Sequence, residues 1–427
     1  MFDSIKEELY ASYTLSELSD EELRALIGRV LDQDLHGNLP LGWSSEEAVE
    51  WIFSSIRGLG ILDRLLGDED ISEIMVNRYD TLYIERKNRL EKCDMTFESE
   101  QELEDIIQRI VNQAGREVNQ ANPIVDTRLD GGERVNIVLS PISIDTPVVT
   151  IRRFPKERIT MQTLIDYGSI TEEAAEFLEQ LVRAKYNLFI SGGTSSGKTT
   201  FLNALSDYIP KDERIITIED SAELQLTGVN NLIRMETRNA NTAGSGAVTM
   251  QQLIKTSLRM RPERIIVGEV RGAEALDMLN AMNTGHDGSL STGHANSCYD
   301  MLRRLESMVL QGSAGLPLAA VRRDIASSLD VIIHLGKIGG KKRSVFSNEE
   351  VVGLQGESIE LNPLFTLQDG KLLPTGNELK HTFKLREYGT GETARIHPAP
   401  APPGLAPKPA PPKREPAGWE PSEGDCW

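Results

Sequence analysis

The chain has 427 residues, 39% hydrophobic and 26% charged, which is enough for two or three globular domains with real cores. Its formal net charge of −19 opposes binding to a polyphosphate backbone, so a nucleic-acid partner is not expected. Cys93, Cys298 and Cys426 make neither a CxxC pair nor a disulfide framework, there is no run of about 18 apolar residues, and the N-terminus lacks a basic-then-apolar leader. These features predict a reduced cytoplasmic protein that meets a membrane only through partners.

Residues 1–66 read as an N-terminal helical region. Ser19-Asp20-Glu21-Glu22 fits a capping box ahead of Leu23, Leu26, Ile27, Val30 and Leu31 at helical spacing. Val49, Ile52, Phe53 and Ile56 mark a second amphipathic run, with Trp43 and Trp51 as core anchors. Residues 67–155 read as a small α+β domain. Strand-like Ile71–Asn77 and Leu82–Ile84 flank the turn Arg78–Asp80, Leu103 to Val111 form a helical run, and Val135–Leu139 and Val148–Ile151 are again strand-like. Residues 156–170, after Phe154-Pro155 and with Tyr167-Gly168-Ser169 inside, read as a linker. From 171 to 344 helix and strand alternate. Phe177, Leu178, Leu181 and Val182 mark a helix, Leu188–Ile190 a strand, and Phe201, Leu202 and Leu205 the next helix. The apolar runs Ile215–Ile218, Ile265–Val267 and Val331–Ile333 suit buried parallel strands. Residues 345–388 read as a small β extension, and the proline-rich 389–427 as a disordered tail.

Gly192-Gly193-Thr194-Ser195-Ser196-Gly197-Lys198-Thr199 has the spacing G-x-x-x-x-G-K-[ST] between a strand and a helix, the context that a phosphate-binding loop requires. The glycines let backbone N–H groups turn inward around phosphate oxygens, and the helix N-terminus adds a favourable dipole. Lys198 is placed for the β- and γ-phosphates of ATP, the Thr199 hydroxyl for Mg²⁺, and Thr200 continues the cradle. Two strand ends supply carboxylates: Glu219, Asp220 and Glu223 after Ile215–Ile218, and Glu269 after Ile265–Val267. Ligands of parallel sheets bind beyond the carboxyl ends of strands, so chemistry is expected at these acids. Glu269 is the candidate for orienting water, and Asp220 and Glu223 join Thr199 as metal candidates. At least one of these acids is expected only to hold the others in place. His286 and His294 flank Gly288–Gly293 and are candidates for a γ-phosphate sensor. Arg128, Arg134, Arg152 and Arg153 carry the planar fork that pairs with phosphate, and Arg259 and Arg261 suit a subunit boundary.

In this order the motifs resemble the type II/type IV secretion ATPase superfamily, closest to its tight-adherence (Flp-type) pilus assembly branch, the CpaF/TadA type. Gly192–Thr199 looks like the family's Walker A loop, Ile218–Leu224 like its Asp box, Arg264–Gly272 like its variant Walker B, and Thr284–Asn296 like its His box. Asp126–Asn136 is similar to the family's N-terminal domain, and the resemblance covers roughly residues 60–345. It implies an α/β fold: a RecA-like P-loop ATPase core preceded by a small α+β, PAS-like domain and an N-terminal helical region. It also implies ATP with Mg²⁺, bound between the two domains where the N-terminal arginines reach phosphate. A homo-hexamer on the cytoplasmic face of a membrane would then drive inner-membrane platform proteins of a pilus or secretion system. Cys298 stands where proline is frequent in the family, and the proline-rich tail is unusual. Two rival readings are a nucleic-acid motor on the same core and a scaffold that binds ATP without turning it over.

Overall fold

The computed structural model describes all residues except 1, 16–17, 36–38, 40–42, 88, 154–157, 239–244, 314, 341 and 389–427. The expected tail, Phe154-Pro155 and residues 156–157 of the expected linker therefore lie outside the described residues. The chain forms two compact units, one of 1–158 with 239–247 and one of 159–238 with 248–427. Among the described residues no helix is long and apolar enough to cross a membrane.

The first unit begins with helices α1 (Phe2–Ser12), α2 (Asp20–Leu35), α3 (Ser45–Arg57) and α4 (Ile61–Gly67). The Ser19 box forms: Glu22 accepts from the Ser19 N–H at 2.8 Å, while the Glu22 N–H donates to the Ser19 hydroxyl at 3.3 Å. Ser44 and Glu47 make a second box at α3. The apolar stripes close on one another through Ile5, Leu9, Leu23, Ile27, Leu31 and Ile52, and Trp43 meets Trp51 edge to face at 5.9 Å. Six strands follow, β1 (Ile71–Arg78), β2 (Thr81–Arg86), β3 (Arg89–Lys92), β4 (Ile124–Arg128), β5 (Arg134–Val138) and β6 (Val148–Arg152), with α5 (Glu100–Gln113) between β3 and β4. They make one antiparallel sheet in the order β3-β2-β1-β6-β5-β4. Alternate residues such as Val135, Ile137, Val149 and Ile151 are buried with Leu103, Ile106, Ile107 and Ile110 of α5, which leaves the other face polar.

The second unit contains α6 (Met161–Asp166), α7 (Glu172–Arg183), β7 (Leu188–Gly192), α8 (Lys198–Ser206), β8 (Arg214–Glu219), β9 (Asn231–Glu236), α9 (Met250–Ser257), β10 (Arg264–Val267), α10 (Glu274–Met282), β11 (Leu290–Gly293), α11 (Cys298–Gly312), α12 (Leu318–Ser328) and β12 (Val331–Ile338). It ends in β13 (Lys342–Gln355), β14 (Ser358–Gln368), β15 (Lys371–Pro374) and α13 (Phe383–Tyr388). Nine strands form one sheet in the order β15-β14-β13-β12-β7-β11-β10-β8-β9. Strands β7 to β12 pair in parallel, and β13 to β15 add antiparallel. Helices cover both faces over two apolar layers, one holding Ile190, Phe201, Leu202 and Ile333, the other Phe189, Ile218, Ile265 and Met301. This is the RecA-like core that the resemblance implies.

Two boundaries differ from the sequence reading. The described part of the expected linker belongs to the second unit, because α6 buries Met161 and Leu164 and the next turn buries Ile170 in its core. The expected β extension is not separate: residues 342–350 of β13 pair with the whole of β12, so 342–374 continue the core sheet.

Candidate active site: a phosphate loop and its carboxylates

The Gly192–Thr199 loop starts where β7, buried at every residue, reaches the end of the sheet. A Cβ on Gly192 would lie 2.6 Å from the Leu335 carbonyl oxygen, so only glycine lets β12 pack this close. Gly197 takes φ 96° as the N-cap of α8. Gly193 has open space where a side chain would be, and the buried Ser196 hydroxyl has no hydrogen-bond partner among the described residues. Lys198 folds back over the loop, its Nζ donating to the Gly192 and Gly193 carbonyls at 3.2 and 3.1 Å. Burial lowers its pKa below that of an ordinary lysine.

Parallel pairing brings the ends of β7, β11, β10 and β8 side by side. His294, just past β11, has Nδ1 at 3.3 Å from Lys198 Nζ and Nε2 at 2.7 Å from Glu269 Oε1. Burial, and then the charge on Lys198, lower the pKa of His294. A neutral ring unprotonated at Nδ1 accepts from the ammonium, while Nε2 makes a close contact with Glu269 Oε1 that lacks the alignment of a hydrogen bond. Glu269 Oε2 lies 2.7 Å from Arg271 Nη2, and Arg271 Nη1 is 3.6 Å from Asp220 Oδ2. Asp220 Oδ1 accepts from the Thr237 hydroxyl at 3.3 Å. Lys198, His294, Glu269, Arg271 and Asp220 thus form one path of contacts across four strand ends. Arg271 had no role in the sequence reading, although it lies two residues beyond Glu269.

Glu219 is a positioning residue. Its Oε1 accepts the N–H groups of Glu223 and Leu224 at 2.8 and 2.9 Å, pinning the segment that carries Asp220 and Glu223. Burial pushes its carboxyl pKa up to about 7 against the lowering effect of these two amides. A Cβ on Gly268 would come 2.9 Å from Glu219 Cγ, so the glycine before Glu269 is dictated by this buried carboxyl.

The structure removes His286 from the site. Strand β11 separates the two histidines by its length, roughly 10 Å. His286 lies before the strand's far end, its Nδ1 at 3.3 Å from the Ala281 carbonyl. The N-terminal arginines divide. Arg128 pairs in register with Arg134, and Arg134 with Arg152, so three form a row across β4, β5 and β6 on the polar face. Arg153 is instead held inside the first unit, its Nη1 donating to the Asp68 and Ile71 carbonyls, the latter at 3.1 Å. Arg259 and Arg261 are exposed in the turn before β10.

A family model described as type II/IV secretion system protein matches residues 56–350. A putative conjugal transfer protein of Mycobacterium tuberculosis is 34% identical over 290 residues, 66% of this chain and 82% of the relative. The type IV secretion system protein PtlH of Bordetella pertussis is 33% identical over 302 residues, 65% of this chain and 88% of the relative. Among solved structures, the pilus retraction motor PilT with bound ADP gives a TM-score of 0.51 at 19% identity, over 77% of this chain and 86% of that one, a likeness of fold.

Proposed function

We propose that this chain, which belongs to the type II/IV secretion system protein family, is an ATP-hydrolysing motor of a pilus or secretion machine. In this reading it is a cytoplasmic homo-hexamer of the tight-adherence branch, associated with the membrane through inner-membrane platform proteins that its movement drives. The observation that carries the reading is the path from Lys198 through His294 to Glu269 at the mouth of the phosphate loop.

The residues fit a polyphosphate and its metal. The buried Ser196 hydroxyl, the left-handed Gly197 and the open Gly193 make a cradle, and Lys198 is held there only by carbonyls and a neutral imidazole. Thr199, Asp220 and Glu223 would hold Mg²⁺ with oxygen atoms alone, as that ion prefers. Once bound, it would neutralise charge on the phosphate oxygens.

The residues then act in sequence. Lys198 leaves the Gly192 and Gly193 carbonyls for the β- and γ-phosphates of ATP. His294 loses the lysine as donor, turns its contact towards the γ-phosphate, and releases Glu269. Glu269 orients water for attack while Arg271 holds its other oxygen. Glu219 keeps Asp220 and Glu223 in place throughout. Loss of the γ-phosphate restores the path from Lys198 to Glu269, and this exchange is the movement that a ring would pass on.

The test is phosphate release with Mg·ATP by the wild type and by Glu269→Gln across a concentration series monitored for assembly. Wild-type turnover should rise on assembly, while the variant binds ATP and stalls by roughly 10²–10³-fold. If both bind ATP and neither releases phosphate even when assembled, the motor reading fails in favour of a nucleotide-gated scaffold. Strong stimulation by single-stranded DNA would point to a nucleic-acid motor.

A further inference from the structure

The phosphate loop has a second neighbour, on the side away from Glu269. Strand β12 runs beside β7 with Leu335 opposite Gly192, continues to Ile338, turns through Gly339 and Gly340 at φ 58° and 74°, and returns as β13. This hairpin brings Arg343 to the loop. Its Nε donates to the Ser195 carbonyl at 3.1 Å, and its Cδ lies 3.5 Å from where a Cβ on Gly197 would sit. The backbone beneath it is fixed by one residue. Ser169 Oγ donates to the Arg343 carbonyl at 3.0 Å, and the Ser169 carbonyl accepts from Ser344 Oγ and the Val345 N–H at 3.1 and 2.8 Å.

The guanidinium is therefore anchored through Nε and its backbone, yet its side chain is exposed. Among the described residues no carboxylate pairs with it, and Nη1 and Nη2 have no partner. A guanidinium fork exposed at the start of α8, beside a loop with phosphate-binding spacing, has the shape and charge to pair with an anion. The sheet order fixes which part of the anion it meets. β7 lies between β11 and β12. His294 and Glu269 approach from the β11 and β10 side, so the γ-phosphate faces them, and Arg343 stands on the opposite flank.

We propose that Arg343 is a nucleotide-binding residue acting within its own subunit, donating Nη1 and Nη2 to the α-phosphate end of the bound adenine nucleotide. The proposal rests on the nucleotide reading above and adds a ligand from the C-terminal hairpin. Because the α-phosphate stays with the product, the contact is made alike with ATP and ADP. It belongs to uniform binding and does not grow in the transition state.

The experiment measures ATP and ADP affinity and steady-state turnover of the full chain as wild type, Arg343→Gln and Arg343→Lys, with melting temperatures to confirm folding. Gln keeps a donor for the Ser195 carbonyl but not the charge, and Lys keeps the charge. Arg343→Gln should weaken ATP and ADP by the same factor, about tenfold, the loss of the solvent-exposed guanidinium fork. KM should rise in step, kcat should fall far less than in Glu269→Gln, and Lys should recover part of the affinity. Equal affinities in Arg343→Gln and wild type overturn the proposal. So do equal losses in Gln and Lys, which would show that the charge contributes nothing, and so does a loss confined to ATP. If the wild type binds neither nucleotide, the nucleotide reading falls, and this proposal with it.

Discussion

Replacing Glu219 by glutamine should remove one pH-dependent contribution to stability. The Glu219 side chain is 3% exposed, Oε1 holds two backbone N–H groups, and Oε2 has no partner. Burial raises its pKa from an ordinary 4.5 to about 7, so the folded chain holds this proton more tightly than the unfolded chain. A group whose folded pKa is raised contributes stability that is complete below about pH 4.5 and is lost as pH rises through about 7. The full shift corresponds to about 3 kcal/mol, of which about 2–3 kcal/mol falls between pH 5 and pH 8. Glutamine cannot ionise. The stability of Glu219→Gln relative to wild type should therefore climb by that amount over this range and level off above it. Urea unfolding followed by far-ultraviolet circular dichroism gives the difference, and hydrogen exchange of peptides spanning 214–224 assigns it to this strand. A difference that stays constant from pH 5 to pH 8 would refute the claim that burial dominates the two amides.

Two further substitutions probe other parts of the core. Arg264 is fully buried, with Nε and Nη2 on the Glu213 carboxylate at 2.5 and 3.1 Å and Nη1 on the Val182 carbonyl at 2.7 Å. Arg264→Met should cost about 3–5 kcal/mol in urea unfolding by leaving the buried Glu213 carboxylate with Lys185 alone, at 3.7 Å, and the added change Glu213→Leu should recover much of it; a loss under about 1 kcal/mol contradicts this account. His294→Asn should lower turnover by roughly 10- to 100-fold with ATP binding retained. Wild-type turnover should fall on acidification at pH values below the ordinary histidine value of 6.5, where protonated Nδ1 can no longer accept from Lys198, and the variant should lack this acid limb.

The contiguous parts of the site were legible because local backbone geometry dictates them. The glycines and lysine of the loop sit at fixed spacing on one turn, and apolar runs such as Ile265–Val267 announce buried strands. Strand β9, Asn231–Glu236, escaped notice because it is an edge strand with no fully buried residue, so it lacks the apolar run of its neighbours. Helix α6 was hidden in an expected linker because six residues are too few for a helical period to show. The two histidines looked equivalent in sequence, but only the strand between them decides that His294 is at the end beside Lys198 and His286 at the other. Arg343 lies 148 residues from Ser195, and pairing that distant cannot be read from local spacing. The glycine turn followed by Lys342 and Arg343 was the one available signal.

The place of β7 in its sheet has a mechanical consequence. It is the fifth strand of nine, with four on either side. Sliding it along its axis would shear two ladders at once, five registered pairs with β12 and four with β11, and such bonds resist as a group. The phosphate loop is thus mounted on the stiffest line of the second unit. Strain created there has little compliance to absorb it along β7 itself, and relaxes instead in the side chains and loops that border the strand ends. A load placed on β13 reaches the same line through eight registered pairs with β12. The C-terminal strands are thereby coupled to the loop through β12.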